Sequence, residues 1–246
     1  MGSNPAAPTT QLADGWSRGP QAPAVRVLAL IPAHDEAPRI AAVVTGAARH
    51  LPVLVVDDGS SDGTAAEAAA AGAKVLRQHP NQGKGAALRA GFRQALDDGC
   101  EAVVTIDADG QHDPAEIPLF LASLDARPRP ELVIGRRSFR AMPASRRMAN
   151  ELGRRAFSWA VGEDIPDNQS GYRLVGRRLM TAMLDSREPG FEFEVEMITT
   201  ALRHRWPLGW VPIRTIYGAP SHIRPLHHLR HFLRATRAAR RAMREG

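Results

Sequence analysis

Short apolar runs alternate with helical patterns along most of this chain, and this alternation constrains its fold more than any other feature. The runs typical of buried strands lie at 27–31, 53–56, 75–76, 103–106 and 132–134. The helical patterns lie at 36–49, from 62, at 85–96 and at 114–124, with further helices expected at 144–161 and 191–203 and a strand at 211–217. Strands that alternate with helices favour a mostly parallel sheet with helices on both faces. We therefore predict an α/β fold.

The two ends of the chain differ in composition from its middle. Residues 1–22 are rich in Pro, Ala, Gly, Thr and Gln, which predicts a disordered leader. The 246 residues then suit a single domain at 23–223 and a basic helical tail at 224–246. No apolar run approaches the roughly 20 residues of a membrane span, and the N-terminus lacks a signal-peptide pattern. With Cys100 as the single cysteine, these features predict a cytoplasmic protein.

Acidic residues gather where three of the predicted strands end. They are Asp35 and Glu36 after the first strand, Asp57 and Asp58 after the second, and Asp107 and Asp109 after the fourth. Ligands of open α/β sheets bind beyond the carboxyl ends of the strands. Asp107 and Asp109 can converge on one hard divalent cation, and Gln111 adds an amide oxygen. The sequence therefore predicts a site for Mg²⁺ or Mn²⁺, although the same run is also good turn chemistry.

Two further patterns accompany this candidate metal site. Asp57 and Asp58 can accept hydrogen bonds from a base and from ribose hydroxyls, while Ser61 or Asp62 is expected to cap the next helix. Lys84 stands between two glycines at the start of a predicted helix, where a lysine can meet a phosphate. The alternative for Lys84 is a flexible turn that carries a solvated side chain.

Arginines and glutamates form two groups in the second half of the chain. The arginines, which can bind phosphates or form a solvated basic face, are Arg136, Arg137, Arg146 and Arg147. The glutamates, which alternate at the start of a predicted helix, are Glu192, Glu194 and Glu196. An inward glutamate could orient an acceptor or take its proton, and the others would form an acidic first helical turn.

These motifs, in this order, resemble the family 2 glycosyltransferases, and among them most of all the dolichyl- or polyprenyl-phosphate mannose synthase group. The segments that carry the resemblance are IPAHDE at 31–36, VVDDGSSDGT at 55–64, NQGKG at 81–85, DADGQHDP at 107–114, SGYR at 170–173, VEM at 195–197 and VPI at 211–213. They extend over about 25–224, nearly all of the predicted domain. The resemblance implies the GT-A fold, a Rossmann-like, mostly parallel sheet in one domain.

The resemblance also implies roles for individual residues. The donor-binding set would be Pro32, His34, Glu36, Val56, Asp58, Lys84, Asp107, Ala108, Arg137 and Arg173. Within that set Arg137 would lie near the phosphates. The metal on the donor diphosphate would be held by Asp107, Asp109 and Gln111.

The implied reaction is the inverting transfer of a hexose from a nucleotide diphosphate sugar, GDP-mannose or UDP-glucose, to a polyprenyl or dolichyl phosphate. Positioning suffices for an ionised phosphate acceptor. A hydroxyl acceptor would need a general base, for which Glu196 and Asp167 are the candidates. Two alternatives stay open at this point: transfer to a non-lipid hydroxyl, and a sugar-1-phosphate nucleotidyltransferase.

The basic tail indicates where such a reaction takes place. Its arginines recur at spacings of three and four and share one helical face: Arg230, Arg234, Arg237, Arg241 and Arg244. A short apolar patch lies beside them at Leu226, Leu229, Phe232 and Leu233. Such a helix can lie on an anionic leaflet or remain solvated. The expected partners are the nucleotide-sugar donor, a lipid-phosphate acceptor and the cytoplasmic face of a membrane, and nucleic acid is not expected.

Overall fold

The computed structural model describes residues 25–137, 144–190, 192–214, 216, 234 and 236–244, with the backbone alone at 144–147, 149 and 150. The strands are β1 (Val27–Ala33), β2 (Val53–Asp58), β3 (Lys74–Gln78), β4 (Ala102–Thr105), β5 (Leu132–Arg137), β6 (Arg173–Gly176) and β7 (Leu208–Ile213). The helices are α1 (Ala37–Ala48), α2 (Thr64–Ala70), α3 (Lys84–Asp97), α4 (Ile117–Ala122), α5 (Ala144–Val161), α6 (Arg177–Met183) and α7 (Glu192–Arg203). Residues 236–244 are also helical.

The strands form one sheet in the order β3-β2-β1-β4-β6-β5-β7. Neighbouring strands are parallel except at β6, which runs antiparallel to both β4 and β5. The predicted α/β fold with a mostly parallel sheet is therefore confirmed. The sequence did not indicate β6, because its four residues are too short to show a strand pattern and directly precede α6. In the register Ala33 pairs with Asp57, so the ends of β1 and β2 meet at one edge.

Apolar side chains cover both faces of the sheet. In β1, Leu28 and Leu30 belong to the cluster beneath α3, α6 and α7, whereas Ala29 and Ile31 belong to the cluster beneath α1 and α4. This alternation follows from the period of two in a strand. Because both faces are buried, every residue of β1 is buried, and the strand is a continuous apolar run in the sequence.

The described part of the tail packs onto the domain. Ala239 is buried within the first apolar cluster, and Met243 packs against it. The Arg240 guanidinium lies 3.7 Å from the centroid of the Trp159 ring on α5, a cation–π contact. The leader at 1–22 and the apolar patch at 226–233 lie outside the described residues. Within the described residues no helix combines the length and apolar character that a bilayer crossing requires.

Candidate active site

The carboxylate of Asp107, just beyond β4, is the centre of a charged cluster. Lys84 Nζ lies 2.6 Å from Asp107 Oδ1 and 3.2 Å from Glu194 Oε1. On the other side, His112 Nε2 lies 3.6 Å from Asp107 Oδ2. Burial alone would raise the pKa of Asp107, but the Lys84 ammonium and the His112 imidazole outweigh it and hold that pKa well below its ordinary value. Asp107 is therefore ionised at neutral pH.

The same cluster fixes the charge of Lys84. Burial would lower the pKa of its ammonium, but the carboxylates of Asp107 and Glu194 reverse this and raise the pKa above its ordinary value. The backbone of Gly171 closes one side, because a Cβ atom there would lie 2.4 Å from Asp107 Oδ2. Only glycine can occupy this position without moving the carboxylate.

Asp109 and Gln111 lie in the turn that follows Asp107. The backbone N–H of Gln111 donates to Asp109 Oδ1 at 3.0 Å, and within the described structure Asp109 Oδ2 has no hydrogen-bond partner. The two carboxylates and the Gln111 amide supply the oxygen donors that Mg²⁺ and Mn²⁺ prefer, so their chemistry fits the predicted metal. No cluster of three His, Cys, Asp or Glu side chains suited to a metal occurs in the described ranges. A metal here would need substrate oxygens to complete its shell, as Mg²⁺ commonly does.

The ends of β1 and β2 are joined by hydrogen bonds between their loops. The Asp35 N–H donates to Ser60 Oγ at 3.0 Å, and the Glu36 N–H donates to Thr64 Oγ1 at 2.8 Å. The Glu36 carboxylate accepts from Arg39 Nε at 2.9 Å. These links join the two loops into one rim.

The other residues predicted to line a nucleotide pocket lie at the ends of β1, β2 and β4. Pro32 and Val56 are buried partners in the β1–β2 register. The His34 side chain is exposed beside them, with Nε2 3.4 Å from Asp35 Oδ2. Ala108 is buried after β4. Helix α2 starts at Thr64, whose N–H donates to Asp62 Oδ1 at 2.9 Å.

Asp58 and Asp57 hold backbone groups. The oxygens of Asp58 accept from the Gln82 N–H at 2.8 Å and the Gly83 N–H at 2.7 Å. Asp57 accepts from the Ser60 N–H at 3.1 Å and from Arg77 Nε at 3.0 Å. Asp58 thereby secures the turn that places Lys84. That both carboxylates face a ligand stays a prediction.

At the start of α3 the backbone amides already have a partner. The N–H groups of Gly85 and Ala86 donate to the carbonyl of Pro189, at 2.7 and 3.4 Å. Gly83 adopts a φ of 94°, and a Cβ atom there would lie 2.4 Å from the same carbonyl oxygen. Because a backbone carbonyl occupies these amides, a phosphate contact at this point depends on the Lys84 side chain.

Arg137 and Asp167 bind each other. Arg137 Nε lies 2.7 Å from Asp167 Oδ2, and Arg137 Nη2 lies 2.9 Å from Asp167 Oδ1, a bidentate pair. Asp167 is buried and also accepts from the Gln169 N–H at 3.0 Å. The pairing orients the Arg137 guanidinium and occupies both oxygens of the candidate base.

Arg173 is fully buried and donates to three backbone carbonyls. Its Nε reaches Ser170 at 2.7 Å, Nη1 reaches Glu194 at 2.5 Å, and Nη2 reaches Asn168 at 3.2 Å. Burial lowers the pKa of Arg173, an effect that the Glu194 carboxylate opposes. These contacts differ from the prediction of donor binding. Arg173 connects the 168–171 loop to the start of α7, where it positions Glu194.

Glu194, one of the three glutamates at the start of α7, belongs to the charged cluster around Asp107. Glu194 is buried and faces Lys84, whereas Glu196, the predicted candidate base, accepts a hydrogen bond from the Ser186 hydroxyl. His112, whose Nδ1 is buried without a partner among the described residues, was not predicted. Alternation of glutamates indicates that one faces inward, but which one depends on how α7 packs.

Comparison with known proteins agrees with this architecture. Residues 29–181 match the family model described as glycosyl transferase family 2. The undecaprenyl-phosphate mannosyltransferase of Micrococcus luteus is 33% identical over 207 residues, which are 77% of this chain and 83% of the relative. The polyprenol monophosphomannose synthase of Mycolicibacterium smegmatis is 32% identical over 209 residues, 78% of this chain and 77% of the relative.

A solved structure shows the same fold. Glucosyl-3-phosphoglycerate synthase from Mycobacterium tuberculosis, in complex with Mn²⁺, UDP and glucosyl-3-phosphoglycerate, superposes with a TM-score of 0.69 at 22% identity. The match covers 88% of this chain and 78% of that one. The family model spans more than half of the chain, and the relatives agree with it. This chain belongs to glycosyltransferase family 2 and has the GT-A fold.

Proposed function

We propose that this glycosyltransferase moves a hexose, with inversion, from a nucleotide diphosphate sugar to a polyprenyl phosphate. Two relatives that are more than 30% identical have names that specify a polyprenyl-phosphate acceptor and mannose. GDP-mannose and UDP-glucose are the donors to test first. Membership of family 2 removes the nucleotidyltransferase alternative.

The observation that carries the phosphate acceptor is that three carboxylates that could serve as a base are already paired. Asp167 is held by Arg137 through two hydrogen bonds, Glu196 accepts from Ser186, and Glu194 pairs with Lys84. A sugar hydroxyl needs a base to take its proton, whereas a phosphate oxygen is already ionised at neutral pH and needs only positioning. This arrangement therefore favours an ionised acceptor over a hydroxyl.

The chain's own residues have distinct parts in this proposal. Asp107, Asp109 and Gln111 would hold Mg²⁺ or Mn²⁺, which neutralises charge on the leaving diphosphate when it is bound. Lys84 and Arg137 supply further positive charge toward the phosphates. The rim formed by the β1 and β2 loops would receive the nucleoside.

The acceptor would lie at a membrane surface. Arg234, Arg237, Arg241 and Arg244 are exposed on the described part of the tail, and the chain carries a net charge of +6. Basic side chains attract anionic lipid headgroups, which would bring a lipid-linked phosphate to the site.

The test compares acceptors in matched reactions of the full chain with Mn²⁺ and either donor. One reaction contains a short polyprenyl phosphate, one contains the corresponding polyprenol, and one contains no acceptor. We expect a lipid-linked hexose with an inverted anomeric centre, seen by NMR, from the phosphate alone. Equal transfer to the polyprenol, or a retained configuration, would contradict the proposal.

A further inference from the structure

Lys84 is bound to the residue that is expected to hold the metal. Its ammonium is 2.6 Å from Asp107 Oδ1 and 3.2 Å from Glu194 Oε1. The chain contains a second lysine, Lys74, which pairs with Asp98 through a contact of 3.1 Å away from the site. Of the two lysines in the chain, Lys84 is therefore the one that pairs with Asp107.

We propose that Lys84 is a built-in counter-cation that competes with the divalent metal for Asp107 until a nucleoside diphosphate binds. The inference rests on the proposed function, because it takes Asp107 as a metal ligand. It adds an order to the events: the metal binds weakly to the free enzyme and tightly once the diphosphate is present.

The competition follows from charge and distance. A contact of 2.6 Å is a direct charge-assisted hydrogen bond, so the Lys84 ammonium occupies Asp107 Oδ1. A divalent cation at the same carboxylate would lie within a few ångströms of the ammonium. Both side chains are only partly exposed, so solvent screens the repulsion between the two cations less than it would at an open surface.

A diphosphate removes the competition by giving Lys84 another anion. Lys84 can turn toward the phosphates and release Asp107 while it keeps its contact with Glu194, which Arg173 fixes from the other side of the α7 start. Linkage requires that the metal strengthen diphosphate binding by the same factor that the diphosphate strengthens metal binding. Lys84 thus couples the two ligands.

The test is a Mn²⁺ titration, followed by the EPR signal of free Mn²⁺, with and without GDP or UDP. The variants are Lys84→Gln, which removes the charge, Lys84→Arg, which keeps it, and Lys74→Gln as the matched control. Without nucleotide we expect Lys84→Gln to bind Mn²⁺ at least tenfold more tightly than the wild type, and the enhancement by diphosphate to shrink by a similar factor. Lys84→Arg and Lys74→Gln should resemble the wild type.

Two further variants make the outcome unambiguous. Glu194→Gln leaves Lys84 with Asp107 alone and should weaken Mn²⁺ binding without nucleotide, the opposite direction from Lys84→Gln. If Lys84→Gln folds and its Mn²⁺ binding is unchanged or weaker, the inference is wrong. If that variant does not fold, unchanged or tighter Mn²⁺ binding by Glu194→Gln overturns the inference.

Asp109→Asn distinguishes failure of the inference from failure of the proposed metal site. If Asp109→Asn binds Mn²⁺ as tightly as the wild type, both the proposed metal site and this inference are wrong. If Asp109→Asn binds Mn²⁺ weakly and Lys84→Gln does not bind it more tightly than the wild type, the metal site stands and only this inference is wrong.

Discussion

Asp58, Asp167 and Arg173 each carry a charge into the interior, and each is surrounded by hydrogen-bond partners. Asp58 accepts from two backbone N–H groups, Asp167 binds a guanidinium, and Arg173 donates to three carbonyls. Burying a charge is costly unless it is paired and hydrogen-bonded. Through these hydrogen bonds the three residues support the loops around the site. Asp109, by contrast, keeps one carboxylate oxygen without a partner in the described structure.

Substitution of Asp109 tests the metal site most directly. Asp109→Asn keeps an oxygen that can accept from the Gln111 N–H but removes a negative ligand. We expect affinity for Mn²⁺ and for the donor to fall together by at least about tenfold, ~1.4 kcal/mol, with little change in melting temperature. Calorimetric titration measures both affinities, and full turnover of this variant in EDTA would refute the metal role.

Substitution of Asp58 tests its support of the Lys84 turn. In Asp58→Asn the side chain loses one of its two acceptors for the Gln82 and Gly83 N–H groups, which costs about 1–3 kcal/mol of unfolding free energy. We expect a lower denaturation midpoint and weaker binding of a nucleoside diphosphate. Asp98→Asn, at an exposed ion pair with Lys74, is the control and should change neither. Unaltered diphosphate affinity in Asp58→Asn would show that the turn does not position Lys84.

At the scale of elements, the site depends on how closely α3 approaches α7. Gly85 lies where the two meet: a Cβ atom on it would be 2.6 Å from the Glu188 carbonyl oxygen and 2.8 Å from Phe193 Cβ. The Gly85 N–H also donates to the Pro189 carbonyl. This close contact is what brings Lys84 on one helix to Glu194 on the other.

A methyl group at Gly85 should separate the two helices. Gly85→Ala is expected to lower stability by about 1–3 kcal/mol through overpacking and to weaken donor binding, because Lys84 and Glu194 move apart. Gly63→Ala is the matched control, since its Cβ would meet nothing closer than 3.8 Å. Urea denaturation and diphosphate titration report the two effects, and equal behaviour of both variants would contradict this account of the packing.

At the scale of the whole molecule, the tail helix belongs to the folded body. Ala239 is buried and Met243 packs on the core, while Arg237, Arg241 and Arg244 are exposed. Truncation after residue 223 would remove core contacts together with the basic face. Removal of charge alone is therefore the cleaner test of membrane contact.

The triple variant Arg237→Ser, Arg241→Ser, Arg244→Ser should weaken binding to anionic vesicles. Each basic residue near such a surface contributes about 1 kcal/mol, so we expect a loss of roughly a hundredfold. Wild-type binding should itself collapse at high salt, because the Debye length falls to about 3 Å at 1 M. The control neutralises three exposed arginines elsewhere, Arg49, Arg93 and Arg203. If both triple variants lose the same affinity for vesicles, the loss is due to net charge alone, and the tail is not the membrane contact.

The sequence by itself determined the α/β class and the edge of the sheet at which the acidic residues gather. Residues 27–33 of β1, 53–56 of β2 and 102–104 of β4 are buried on both faces, so each segment is a continuous apolar run that can be recognised without a structure. The acids that follow these strands meet at one edge because parallel strands end together. The order of the motifs was also sufficient to indicate family 2.

Only the tertiary structure decided which charged residue meets which. Lys84 and Glu194 are 110 positions apart, Asp107 meets the Gly171 backbone from another loop, and Asp167 pairs with Arg137 across 30 positions. No local period encodes such contacts, because they arise from the packing of α3, β4 and α7 against one another. For that reason the sequence led to Glu196 as a candidate base, whereas the contact between Glu194 and Lys84 is visible only in the folded chain.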